Sequence, residues 1–160
     1  MTHENFSEAD RVRNALQAAG VESRIQEFSA STRTAQDAAA AIGISVSQIV
    51  KSLVFFSGES PVLVLMSGSN RLDPQRLAAI TGAEIRKADA ETVRGVTGYA
   101  IGGVPPIGFP TRLLTFIDLD LTRYETIWAA AGTPRHVFET TPDDLVRVTS
   151  GTVGELKLES

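Results

Sequence analysis

The chain has 160 residues, a formal net charge of -4 and no cysteine. Such a length fits one domain, 1–160, around one sizeable core, and the missing cysteine excludes disulfides, thiolate metal sites and cysteine nucleophiles. Apolar residues make up 42% and charged residues 21%, an ordinary globular balance whose negative sign argues against nonspecific coating of nucleic acid but not against a grip on one RNA end.

In chain order, Phe6 to Ala19 reads as a helix, started by Ser7 with Asp10 three residues on and stopped by Gly20. A short strand is expected over Arg24 to Phe28. Thr34 caps the next helix, Asp37 stands at its third position, and the run Ala38 to Ile42 suits close packing on a sheet before Gly43 ends it. Ser45 to Val50 predicts a helical turn. Lys51 to Phe56 and Pro61 to Met66 predict a hairpin of buried strands, turning at Gly58 and Glu59.

Asp73-Pro74 pairs a capping carboxylate with proline at the first helical position, so a helix runs to Thr81 and stops at Gly82. Glu84 to Lys87 predicts a strand and Ala90 to Gly95 a short helix. Thr97 to Pro110, rich in glycine and proline, is irregular. Strands follow at Leu113 to Ile117, Thr126 to Ala131 and Arg135 to Glu139. Thr141-Pro142 opens a last helix to about Val148, with a loosely ordered tail beyond. This order describes an α/β (α+β) domain with a mixed sheet.

Familiar catalytic toolkits are missing. The histidines are His3 and His136 alone, too few for the usual zinc site. There is no metalloprotease helix, Walker loop or dinucleotide fingerprint. Ser67-Gly68-Ser69 lacks the spacing of a nucleophile elbow. No apolar run reaches the ~20 residues of a membrane helix, and Met1 to Asp10 is unlike a signal peptide. The expectation is a cytoplasmic protein with no membrane association, no metal and no cofactor.

Four features remain. Lys51 heads a buried strand, where it either reaches a cleft as a point cation for phosphate or ester oxygens or snorkels to solvent. The loop Gly98 to Gly108 either aims N–H donors at a developing oxyanion or forms a tight crossover. Ser67 to Arg71 lines a site at a strand end or is a polar turn. His136 bonds a substrate group or sits half-buried on its strand.

Together these features resemble the YbaK/prolyl-tRNA synthetase-associated domain family, from about Val21 to Val148. The resemblance rests on Thr34-x-x-Asp37-Ala38-Ala39, Gln48 to Phe55, Asn70-Arg71-Leu72-Asp73 and Thr97-Gly98-Tyr99. Its most specific part is Gly102-Gly103-Val104-Pro105-Pro106-Ile107-Gly108, in which Gly102 to Pro106 matches the family's G-x-x-x-P loop. It implies a mixed, barrel-like sheet surrounded by helices and a trans-editing hydrolase that deacylates misacylated tRNA. The implied substrate is tRNA(Pro) or a related tRNA carrying alanine, serine, threonine or cysteine.

The implied catalytic residues are Lys51, holding the terminal adenosine or its phosphate, with Gly102 and Pro106 of the ester-facing loop. The implied substrate-binding residues are Thr34, Ser67, Gly103 and His136, the last in a Thr133-Pro134-Arg135 context that departs from relatives. The partners so implied are the aminoacyl-tRNA 3' end and a synthetase or elongation factor, for a monomer or weak homodimer. The competing reading is a non-catalytic tRNA- or protein-binding module on the same fold.

Overall fold

Every α-helix among the described residues begins on a side chain that satisfies one of its otherwise unpaired N–H groups. In the computed structural model, which describes residues 7–22 and 24–159, Ser7 caps α1 (Glu8–Ala18), Thr34 caps α2 (Ala35–Ile42), Asp73 caps α3 (Pro74–Thr81), Asp89 caps α4 (Ala90–Thr97) and Thr141 caps α5 (Pro142–Thr149). The expected start at Phe6 and the histidine His3 fall outside the described residues. No helix among those described is long and apolar enough to cross a membrane.

The strands are β1 (Ile25–Glu27), β2 (Ile49–Ser57), β3 (Ser60–Ser67), β4 (Ile85–Lys87), β5 (Leu114–Asp118), β6 (Ile127–Ala130), β7 (His136–Thr140) and β8 (Thr152–Gly154). They form one mixed sheet in the order β1-β7-β6-β2-β3-β5-β8, with β4 paired to β2. β2 and β3 are the expected hairpin, in unbroken register from Val50↔Ser67 to Ser57↔Ser60. β3 is buried on both faces, which is why it reads as a continuous apolar run. Leu63 and Leu65 enter the larger core with Val50, Val54, Ile117 and Phe138. Val62, Val64 and Met66 enter a second core with Leu72, Leu77, Phe116 and Leu156. A third cluster packs Ala38 and Ala39 of α2 against Ile49, Trp128 and Val137, the close approach that small side chains allow.

Two expectations need correction, and one element was not anticipated. The tail is ordered: β8 pairs in parallel with β5, Leu156 is fully buried, and Asp73 N–H donates to the Leu156 carbonyl at 2.8 Å. Its few apolar residues carry no local period; partners distant in sequence order them. The helix at Ala90 continues past Gly95 to Thr97 and stops at Gly98, whose φ of 83° supplies the left-handed cap. A 3-10 turn over Leu119–Arg123, which no local signal announced, follows β5.

Candidate active site

The site begins with a defect in strand pairing. β6 pairs with β2 only at Ile49 and Val50, and β4 pairs with it only from Phe55 to Ser57. Between them this edge of β2 is open. The Ile49 carbonyl accepts from Gly68 N–H on the β3 side, and the Val54 carbonyl accepts from Ala88 N–H on the other. Strand alternation therefore turns the peptide groups of Ser52 toward the open edge.

A cavity of about 300 Å³ occupies this opening. It is lined by Lys51, Ser52 and Leu53 of the bare edge, Thr34 and Ala35 at the start of α2, Gly68, Gly102 and Val104, and Trp128 and Ala129 of β6. Among the predicted site residues, it thus brings together Lys51, Thr34 and Gly102.

Lys51 is half-buried, and its Nζ donates to the Asn70 carbonyl. Burial, then the nearby Arg71 charge, lowers its pKa from the ordinary lysine value, and Asp118 opposes the shift. Asn70 is itself held firmly. Its two amide protons go to Asp118 Oδ2 and Asp120 Oδ2, both at 2.8 Å. Asp118 is fully buried and also accepts from the N–H groups of Ser67 and Asp120, each at 3.0 Å. Asp120 is bound in addition by Arg123 and Lys157. Hydrogen bonds from Arg123, Asn70 and Lys157 hold its carboxyl down at about 2. A buried carboxylate thus sets the acceptor that aims the lysine.

Gly102 has a φ of 93°, and a Cβ there would lie 2.4 Å from Arg33 Cγ. The loop around it is pinned rather than slack. Tyr99 Oη donates to the Gly108 carbonyl at 2.8 Å, its ring meets Phe109 edge to face, and the Arg11 guanidinium covers it at 4.8 Å. Thr34 presents a helix start, its Oγ1 accepting Asp37 N–H at 3.0 Å. The exposed Arg33 also lines the cavity, and Arg71 stands near Lys51. No carboxylate is among the described lining residues, whose charged members are Arg33 and Lys51, and these make the cavity electropositive.

Ser67, Gly103, Pro106 and His136 lie outside this lining. Ser67 is buried, its Oγ donating to the Ser47 carbonyl at 2.7 Å. Gly103 packs where a Cβ would stand 2.8 Å from Thr133 Cα, and its N–H is taken by the Ala100 carbonyl. Pro106 lines a separate cavity of about 190 Å³ with Phe109 and Arg112. His136 Nδ1 bonds Thr133 Oγ1 at 2.5 Å, and its Nε2 stands 3.8 Å from Glu27.

Sequence reasoning missed Arg33, Ser52 and Asp118. Asp118 ends an apolar strand and Arg33 precedes a helix cap, both weak signals. Ser52 gave none, because what distinguishes it is tertiary. Among the described residues, its Oγ is the one buried side-chain oxygen or nitrogen without a hydrogen-bond partner.

The aminoacyl-tRNA editing domain model matches residues 29–148. The protein YwhH of Bacillus subtilis (strain 168) is 33% identical over 125 residues, covering 78% of this chain and 80% of YwhH. EbsC of Enterococcus faecalis (strain ATCC 700802 / V583), named for deacylation of Cys-tRNA(Pro) and Cys-tRNA(Cys), is 27% identical over 125 residues, covering 77% of this chain and 76% of EbsC. A crystal structure assigned as a trans-editing enzyme for prolyl tRNA synthetase superposes with a TM-score of 0.91 at 45% identity, covering 99% of this chain and all of the other.

Proposed function

The chain belongs to the aminoacyl-tRNA editing domain family, and from that premise we propose that the cavity at the open edge of β2 receives the aminoacyl-adenosine end of a mischarged tRNA. The protein is an aminoacyl-tRNA deacylase. Water adds to the ester carbonyl, the bond to the ribose oxygen breaks, and free amino acid and tRNA leave. An aminoacyl ester is already activated, so a site that positions it, excludes bulk water and stabilises the developing oxyanion can accelerate its hydrolysis.

The observation that carries this reading is the convergence of Lys51, Thr34 and Gly102 on one electropositive cavity. Lys51, aimed by Asn70, contacts the terminal phosphate or ribose of an anionic substrate end. Gly102 brings backbone close to the ester, where a side chain would intrude. Arg33 and Arg71 draw the acceptor end to the mouth despite the net charge of -4. The ~300 Å³ volume suits a small aminoacyl group, and alanine, serine, threonine and cysteine are the candidates. We take the tRNA to be tRNA(Pro) or a relative, met in trans, with the protein acting in the cytoplasm.

Purified protein incubated with tRNA charged with each of these four amino acids tests the reading. At least one charged species should be lost well above the spontaneous rate. Lys51→Ala should lower kcat/KM on that species by about 100-fold or more, as loss of a positioned charged contact does, with its melting temperature close to that of the parent. Full activity of the folded variant would overturn the role of Lys51. Survival of all four species would favour a binding module instead.

A further inference from the structure

Ser52 poses a problem that the deacylase reading alone does not resolve. A buried hydroxyl without a partner destabilises a fold, and native structures rarely keep one without cause. Ser52 Oγ is such an atom, and Ser52 lines the cavity. The other lining hydroxyls are engaged: Thr32 Oγ1 donates to the Pro134 carbonyl at 2.9 Å, and Thr34 Oγ1 caps α2. Ser52 alone among them keeps both donor and acceptor capacity free. By strand alternation it shares the sheet face of Val50 and Val54, which belong to the larger core together with Val104 and Ala129. Apolar side chains therefore surround its own sheet face, while Lys51 and Arg33 line the cavity elsewhere.

A small, polar, neutral group suits Ser52. A substrate ammonium would lose water there with no carboxylate among the described lining residues, in a cavity that Lys51 and Arg33 also line, and a buried unpaired cation is far costlier than a buried hydroxyl. A side-chain hydroxyl fits, because two hydroxyls can each donate to and accept from the other.

We propose that Ser52 is a specificity-determining residue whose Oγ hydrogen-bonds the hydroxyl of a seryl or threonyl group, so that the protein removes hydroxylated amino acids in preference to alanine. This rests on the deacylase reading above and narrows its substrate class. A site built to bond a hydroxyl discriminates strongly against the analogue lacking it, because the buried partner is then left unsatisfied.

The test compares kcat/KM on one tRNA charged with serine or with alanine, for the parent protein and Ser52→Ala. Binding of the corresponding non-hydrolysable 3'-amide analogues of seryl- and alanyl-adenosine is measured alongside. The parent should favour serine by about 10-fold or more. Ser52→Ala should reduce the serine-to-alanine ratio by about 10- to 100-fold, in hydrolysis and in analogue binding. It should also melt at or above the parent temperature, since it removes an unsatisfied buried atom; a structural hydroxyl would lower it.

A parent without preference for serine overturns the proposal. So does a variant whose ratio is unchanged, even if both rates fall together, because Ser52 would then touch a group common to both substrates. These outcomes leave the deacylase reading standing. A parent that neither hydrolyses the esters nor binds the amides overturns that reading and this inference with it.

Discussion

Asp120 shows how much a single side chain can connect. Its carboxylate binds Arg123 of the same turn, Asn70 beside Lys51, and Lys157 of the tail, and these hydrogen bonds hold its pKa down at about 2. A depressed carboxylate pKa contributes stability above the unfolded value near 4, and that stability is lost as pH falls through the folded value. The parent should therefore lose about 1 kcal/mol between pH 4 and pH 2 that Asp120→Asn does not lose, a figure discounted for the solvent around Arg123 and Lys157. Chemical denaturation of both proteins at the two pH values measures the difference. Equal losses would mean that the three partners contribute nothing net. Lys51 makes the residue-scale contrast. Burial and Arg71 act against its charge, so it is held for its chemistry rather than for stability.

At the scale of elements, the glycine loop joins fold and site. Tyr99 pins its far end and Gly102 presents backbone to the cavity. Gly102→Ala would force a φ of 93° on an L-residue and press a Cβ against Arg33. The Arg33 side chain can swing away, but the backbone strain remains, at about 1–2 kcal/mol. The variant should melt lower by a few degrees and lose deacylation out of proportion, as misplacement of a substrate-facing backbone does. Retained activity at reduced stability would make the loop a crossover and nothing more. The helix starts belong to this scale too. Four of the five capping side chains, Ser7, Thr34, Asp73 and Thr141, were read in the sequence and Asp89 was not; a capping side chain acts on N–H groups two or three residues away, so the signal is local.

The whole molecule is closed by its tail. Leu156 is fully buried against the second core, Lys157 reaches Asp120, and Leu158 N–H donates to the Arg71 carbonyl at 2.7 Å. Removing residues 155–160 should cost about 3 kcal/mol, mostly from Leu156. It should also lower deacylation, because Asp120 then loses one of the contacts that fix Asn70 and, through it, Lys51. A truncated chain as active and as stable as the parent would show the tail to be dispensable.

The sequence by itself determined the helix starts, most of their stops, the β2–β3 hairpin and the family. Each of these is written in residues near one another or in an ordered set of motifs from Thr34 to Pro106. It also raised Lys51 and Gly102, but their nearness to each other and to Thr34 was decided by the sheet. The open edge of β2 exists because β6 and β4 each cover only part of it, and strand pairing across such separations has no local signature. The same holds for the ordered tail, for Asp118 behind Asn70, and for the unpartnered hydroxyl of Ser52. Burial and hydrogen-bond satisfaction are properties of the assembled interior, so only the tertiary structure could single out that serine.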